Sequence, residues 1–133
     1  MPTVIVVDAG IIATTLGDDG PDGDKCRRRL RGETLAAPEL IDLEVTSVFR
    51  KLSAEGRMDE RRARLALADL VDLPLERAPH APLLKRCWEL RANLTPYDAA
   101  YVALAEALEV TLLTSDGRLA RGPGPRCSVE VMD

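Results

Sequence analysis

Four acidic residues, Asp8, Glu44, Asp98 and Asp116, stand at positions where a carboxylate is costly. Asp8 closes the β-branched run Thr3-Val4-Ile5-Val6-Val7, and Asp116 follows Val110-Thr111-Leu112-Leu113-Thr114. Residues that end such runs reach the carboxyl edge of a parallel sheet, where open α/β folds keep their active sites. Glu44 has Leu40, Ile41 and Val48 at i−4, i−3 and i+4, which puts an acid on the apolar stripe of a helix. Two carboxylates about 4 Å apart repel by roughly 4 kcal/mol at an effective dielectric near 20. A group of four therefore takes up protons or binds a cation. Hard oxygen donors suit Mg2+ or Mn2+, which keep several waters and leave positions for phosphate oxygens. Phosphodiester hydrolysis by a metal-activated water is the chemistry such a site would do.

Each acid also has an ordinary structural role open to it. Asp8 can cap the helix that begins at Ala9. Asp98 lies three residues after Thr95 with Pro96 between them, close to a capping box. Asp116 precedes Gly117, a common turn pair. Glu44 is the hardest to place this way, because Glu39 and Asp42 already supply exposed acids on the same stretch. The case for a metal site rests on the set.

The elements that must position these side chains alternate. A strand is expected over 3–7, a short helix from Gly10 to Leu16, and a turn-rich loop at 17–23 that is the expected mobile segment. A basic helix follows near 22–31. Pro38 is expected to open a helix to Ala54 that Gly56 ends, and a further helix spans Asp59 to Asp72. Leu73 to Arg77 reads as a short strand. Pro79 and Pro82 bracket the start of a helix to Ala92, Thr95-Pro96 starts another to Leu108, and 110–114 and 128–132 read as the last strands. Gly122-Pro123-Gly124-Pro125 is a surface turn. The fold class expected is α/β, with a mostly parallel central sheet of about four or five strands between helices, α/β/α, as a single domain over 1–133.

Composition sets the outer limits. A chain of 133 residues with 46% apolar and 30% charged side chains is ordinary for one globular domain. No apolar run approaches a membrane span, and Met1-Pro2-Thr3 leads into the first strand without a basic leader, so a cytoplasmic protein is expected. Three widely spaced cysteines, Cys26, Cys87 and Cys127, fit a reducing compartment. Eighteen basic against 22 acidic residues give −4, so setting the four acids aside leaves a neutral remainder. Bases cluster at Lys25, Arg27, Arg28, Arg29 and Arg31 and at Arg61, Arg62 and Arg64, as solvated helix faces or as phosphate contacts. One Trp, one Phe and two Tyr are too few for base stacking to dominate RNA affinity.

Competing chemistries fail on named residues. A single histidine, His80, and scattered cysteines do not make a zinc site, and His80 between Pro79 and Pro82 reads as a surface residue. Aligning Asp18 as the first ligand of a calcium loop puts Gly20 third and Arg29 twelfth, which excludes an EF-hand. The glycines at 17, 20 and 23 are followed by no Walker lysine, and Gly10 stands where a phosphoaspartate hydrolase carries a second Asp. A receiver-like signalling domain shares the acidic pocket and is the alternative from another class. It would want a lysine near the last strands, yet the last lysine is Lys85.

Val7-Asp8-Ala9, Glu44 within Pro38-Glu-Leu-Ile-Asp-Leu-Glu-Val, Asn93-Leu-Thr-Pro-Tyr-Asp-Ala-Ala-Tyr-Val-Ala-Leu-Ala-Glu-Ala and Leu113-Thr114-Ser115-Asp116 together resemble the PIN-domain ribonucleases. Among these the chain is similar to the VapC toxins of bacterial toxin–antitoxin pairs, over essentially its whole length. The resemblance implies a PIN fold and an endoribonuclease dependent on Mg2+ or Mn2+. Its products would be a 5′-phosphate and a 3′-hydroxyl. It further implies a transfer or ribosomal RNA substrate, a homodimer, and a VapB-like antitoxin whose C-terminal segment lies in the catalytic groove. Asp8, Asp98 and Asp116 would hold metal, with Glu44 binding metal or orienting water. Thr114 would steady Asp116 through its hydroxyl. The family often has Ser or another small polar residue two positions after the first Asp, where this chain has Gly10, so that hydrogen bond is expected either to be missing or to be supplied by Thr14 or Thr15. A PIN scaffold kept only for binding is a further alternative, favoured by Gly10 alone.

Overall fold

The computed structural model describes residues 3–132, so Met1, Pro2 and Asp133, at the ends of the expected domain and its leader-free start, lie outside the described residues. Five strands form one parallel sheet: β1 (Val4–Val7), β2 (Thr34–Pro38), β3 (Leu75–Ala78), β4 (Leu112–Thr114) and β5 (Val129–Val131), in the order β3-β2-β1-β4-β5. The chain builds outward from β1 to β3 on one side, then returns to lay β4 and β5 on the other. The turning point lies between β1 and β4, and the crevice outside their carboxyl ends is where such sheets bind ligands. Register fixes that edge: Val7 is opposite Leu113, and the Asp8 amide donates to the Leu113 carbonyl at 3.2 Å.

Helices α1 (Ala9–Gly17), α2 (Pro21–Leu30), α3 (Ile41–Ala54) and α4 (Glu60–Asp72) pack on one another as one layer. On the other side α5 (Leu84–Glu89) packs on α6 (Pro96–Leu108), and α6 lies against β1, β2 and β4; a last short helix, α7 (Arg118–Arg121), precedes β5. Both faces of the sheet are therefore covered, which is why β1 and β4 are continuous apolar runs rather than alternating ones. Val6, Val7, Leu112 and Leu113 are fully buried, with Ile11, Ile12, Ile41, Val45 and Phe49 from one layer and Ala99, Val102 and Ala105 from the other.

Several expectations are corrected. Pro38 does not open a helix. It ends β2, opposite Ala78, and α3 starts at Ile41. The run Thr34-Leu-Ala-Ala-Pro lacks the β-branched signature, but parallel pairing to β1 and β3 on both sides makes it a strand. The helix expected through Ala92 is a 3₁₀ turn at Ala81–Leu83 followed by α5, which stops at Glu89. The expected mobile loop at 17–23 shrinks to residues 18–20, because Gly17 closes α1 and Pro21 opens α2. What remains is fastened: Asp18 Oδ1 accepts from the Gly20 amide at 2.7 Å, Arg27 Nη1 donates to the Thr15 and Asp18 carbonyls, and Arg62 pairs with Asp19.

That fastening explains a glycine inside α2. A Cβ on Gly23 would stand 1.9 Å from the Asp18 carbonyl oxygen, a backbone atom that cannot turn aside. Gly23→Ala should therefore lower stability by roughly 2 kcal/mol, read from the denaturant midpoint, although alanine is the better helix former.

Candidate active site

Three of the four acids are set by the crevice itself. Asp8 is the N-cap of α1: its Oδ1 accepts from the Ile11 amide at 3.0 Å, and its Oδ2 accepts from the Thr114 hydroxyl across the switch point. Capping and site membership thus coincide, since each carboxylate oxygen has a second lone pair for a cation. Asp98 stands in the first turn of α6, whose N-cap Thr95 accepts from the Asp98 amide at 3.2 Å. Because α6 runs back along the sheet so that β4 can start parallel to β1, its N-terminus returns to the carboxyl edge. Glu44, in the first turn of α3, accepts from the buried Tyr101 hydroxyl of α6 at 2.6 Å. That bond spans the two helical layers past the sheet edge.

Electrostatics mark these three as a set. Burial holds the carboxyl groups of Asp8, Glu44 and Asp98 above the usual carboxylate range. Mutual repulsion adds to it: Asp98 acts on Asp8, Asp8 and Asp98 on Glu44, and Asp116 on Asp98. The Tyr101 phenol is pushed up by burial and by its bond to Glu44, so it remains a donor. Asp116 behaves oppositely. The Arg118 guanidinium beside it holds its carboxyl below the usual range. Among the described residues no three His, Cys, Asp or Glu side chains stand close enough to form a closed metal-ligand set. What the chain presents is hard oxygen donors, half-desolvated and mutually repelling, a donor chemistry that fits Mg2+ or Mn2+.

Of the two supporting roles, one has its expected hydrogen bond and one differs. The Thr114 hydroxyl oxygen accepts the Asp116 amide at 2.9 Å, the expected bond to Asp116, and its proton is donated to Asp8 as well. Neither Thr14 nor Thr15 replaces a side chain at position 10. Thr15 Oγ1 donates to the Ile11 carbonyl within α1 at 2.7 Å, and Thr14 contributes its carbonyl to the Asp18 amide. Ser115 fills that space instead: a Cβ on Gly10 would stand 2.5 Å from the Ser115 hydroxyl and 3.6 Å from Asp8 Oδ1. Sequence reading passed over Ser115, Tyr101 and Arg118, although all three lie in or beside the quoted motifs. Their signal was spatial. His80 accepts the Leu40 amide on Nε2 at 3.1 Å, a structural bond at the surface, in line with its expected place.

Asp98 and Asp116 line one open cleft of about 310 Å3 with Asn93, Thr95 and Arg118, and Gly122, Pro123 and Pro125 form part of its wall. A larger hollow of about 560 Å3 at the C-terminal end of α6 is a poorer candidate, because its Glu106 is already paired with Arg86 at 2.6 Å.

Two outcomes follow from this geometry. A raised carboxyl pKa stabilises the fold at low pH and that contribution is lost as pH rises through the folded value. Metal-free Asp98→Asn should therefore melt no lower than wild type at pH 7, and wild type should gain on the variant as the pH is lowered through the raised range, in parallel thermal melts. Gly10→Ala in a helix first turn should stabilise by about 0.5–1 kcal/mol when Ser115→Ala has cleared the space, and by less in the wild-type background, where Ser115 must rotate. A double-mutant cycle reads that coupling.

A PIN domain model matches residues 5–124. The chain is 41% identical over 128 residues to Ribonuclease VapC1 of Mycobacterium tuberculosis, covering 96% of both chains. Its fold is similar to that in a VapBC2 crystal structure from Rickettsia felis bound to a promoter DNA fragment, with a TM-score of 0.70, 16% identity and coverage of 98% of this chain and 100% of that one. It is similar also to VapC20 of Mycobacterium tuberculosis, a sarcin–ricin loop cleaving toxin, with a TM-score of 0.68, 15% identity and coverage of 90% and 95%. Near-full-length likeness of this kind, on a five-stranded parallel sheet, places the chain in the PIN-domain family, among the VapC ribonucleases.

Proposed function

We propose that this protein is a divalent-metal-dependent endoribonuclease of the toxin class, hydrolysing RNA phosphodiester bonds by water attack. The single observation that carries the reading is the placement of the acids at one sheet edge: Asp8 bonded to Thr114 across the switch point, Glu44 bonded to Tyr101 of α6, and Asp98 in the first turn of α6 sharing a cleft with Asp116. Asp8 and Asp98, with Asp116, would hold the ion, Mg2+ or Mn2+. When bound, such an ion lowers the pKa of a water and offsets charge on the nonbridging phosphate oxygens. Glu44, held by Tyr101, orients the attacking water and takes its proton; its raised pKa suits that exchange. The water oxygen bonds to phosphorus as the bond to the 3′-oxygen breaks and that oxygen takes up a proton from solvent, leaving a 5′-phosphate and a 3′-hydroxyl. Thr114 keeps Asp8 aimed across the crevice.

The substrate is an RNA recognised mainly through shape and phosphates. A VapB-like antitoxin is the proposed inhibitor, and an apolar groove between α3 and α4, with Leu43 and Val71 largely exposed and Asp42 paired to Arg77 beside them, offers it a seat. A homodimer in the cytoplasm completes the reading; no helix among the described residues is long and apolar enough to cross a membrane.

Wild type and Asp98→Asn compared on a structured RNA panel with Mg2+, Mn2+ or chelator test the reading. Cleavage should need the metal and fall by at least roughly a hundredfold in the variant. Equal cleavage by both proteins, or cleavage indifferent to chelator, would reduce Asp98 to a helix cap.

A further inference from the structure

Asp116 is the acid whose carboxylate is occupied by a cation of the chain itself. Arg118 Nε lies 3.0 Å from Oδ1 and 3.2 Å from Oδ2, Nη2 lies 2.7 Å from Oδ2, and the Arg118 amide donates to Oδ1 at 2.9 Å. Both oxygens are thus covered by donors from one residue. Among the described residues the acids present no closed ligand set, and Asp116 on the cleft wall is held by a guanidinium of the chain itself. The hold is a weak one. The Arg118 side chain is 80% exposed, and exposed ion pairs contribute little in water.

We propose that Arg118 is a built-in counter-ion of Asp116 that a divalent metal displaces, and that the released guanidinium then grips a nonbridging oxygen of an RNA phosphate in the same cleft. The inference rests on the metal reading given above. Its physical basis is that the planar fork matching a carboxylate also matches a phosphate. Geometry limits where the fork can go. Arg118 is the first residue of α7, two positions from Asp116, and it lines the cleft with Asp98 and Asn93. Its field already reaches Asp98. Its neighbour Arg121 reaches Asp116 through its field alone, its guanidinium lying over Gly117, 2.8 Å from where a Cβ would stand. Metal and RNA binding become coupled as a result: the ion frees the arginine, and the freed arginine adds a phosphate contact.

Calorimetry of Mn2+ binding to the metal-free full-length chain tests the first half. Arg118→Ala should tighten Mn2+ binding roughly two- to fivefold, the worth of an exposed ion pair that no longer has to break. Arg118→Lys should fall between it and wild type, and Arg121→Ala, which removes a charge that acts on Asp116 only through its field, should tighten binding by less than Arg118→Ala does. The second half is read on a Glu44→Gln background that leaves RNA uncut. There Arg118→Ala should weaken Mn2+-supported binding of a short single-stranded RNA by roughly fivefold or more. Opposite signs in the two assays are the signature. Unchanged or weaker Mn2+ affinity in Arg118→Ala, equal tightening in Arg121→Ala, or unaltered RNA affinity would each overturn the proposal. Failure of wild type to bind Mn2+, or full Mn2+ binding by Asp98→Asn, would instead strike at the metal reading beneath it.

Discussion

Like charges drawn together and partly removed from water are the constraint around which this fold is arranged. Burial and mutual repulsion both act against Asp8, Glu44 and Asp98, and each is held in place by a specific donor. Asp8 takes the Ile11 amide and the Thr114 hydroxyl, and Glu44 takes the Tyr101 hydroxyl. Asp98 stands at the positive end of α6, as Asp8 does at that of α1, where a negative group is favoured. These contacts keep the carboxylates ionisable and aimed without neutralising them. A site that repels itself is poised for a cation.

The parallel sheet makes the arrangement possible. Strand order reverses between β1 and β4, so side chains after Val7 and after Thr114 face one crevice although more than a hundred positions separate them. The helical layers deliver the other two acids from opposite sides, and the Glu44–Tyr101 bond joins those layers at the edge. Function and packing are therefore bound together here: Tyr101 is a core residue by burial and a site residue by its hydroxyl.

Basic residues are distributed by the same logic. Arg29 ties α2 to β5 through Glu130 and reaches Glu33, Arg62 ties α4 to the turn after α1, and Arg77 joins β3 to α3 through Asp42. Arg29 and Arg62, one from each arginine-rich stretch, thus fasten the scaffold. That leaves the cleft beside Asp116 as the place where a guanidinium and the acids meet, which makes the local balance between Arg118 and Asp116 more consequential than the net charge of the chain.

Local sequence was enough for much of this. Apolar runs ending in Asp8 and Asp116 specified β1 and β4 and their shared edge, because a strand's period and its terminator are local properties. Asp59 and the Thr95-Pro96 pair marked the starts of α4 and α6, because caps act within one turn. The family was legible for the same reason: the motifs that carry the resemblance are short, chemically odd contexts. Tertiary structure alone decided the remainder. Thr34–Pro38 is a strand only because partners pair with it on both sides, and α7 exists only where Asp116 anchors its first amide. Which carboxylate receives the Thr114 hydroxyl, which side chain fills the space above Gly10, and which acid a guanidinium withholds are contacts between residues brought together by folding. Periodicity carries no information about such contacts, because they depend on distances across the crevice and not on spacing along the chain.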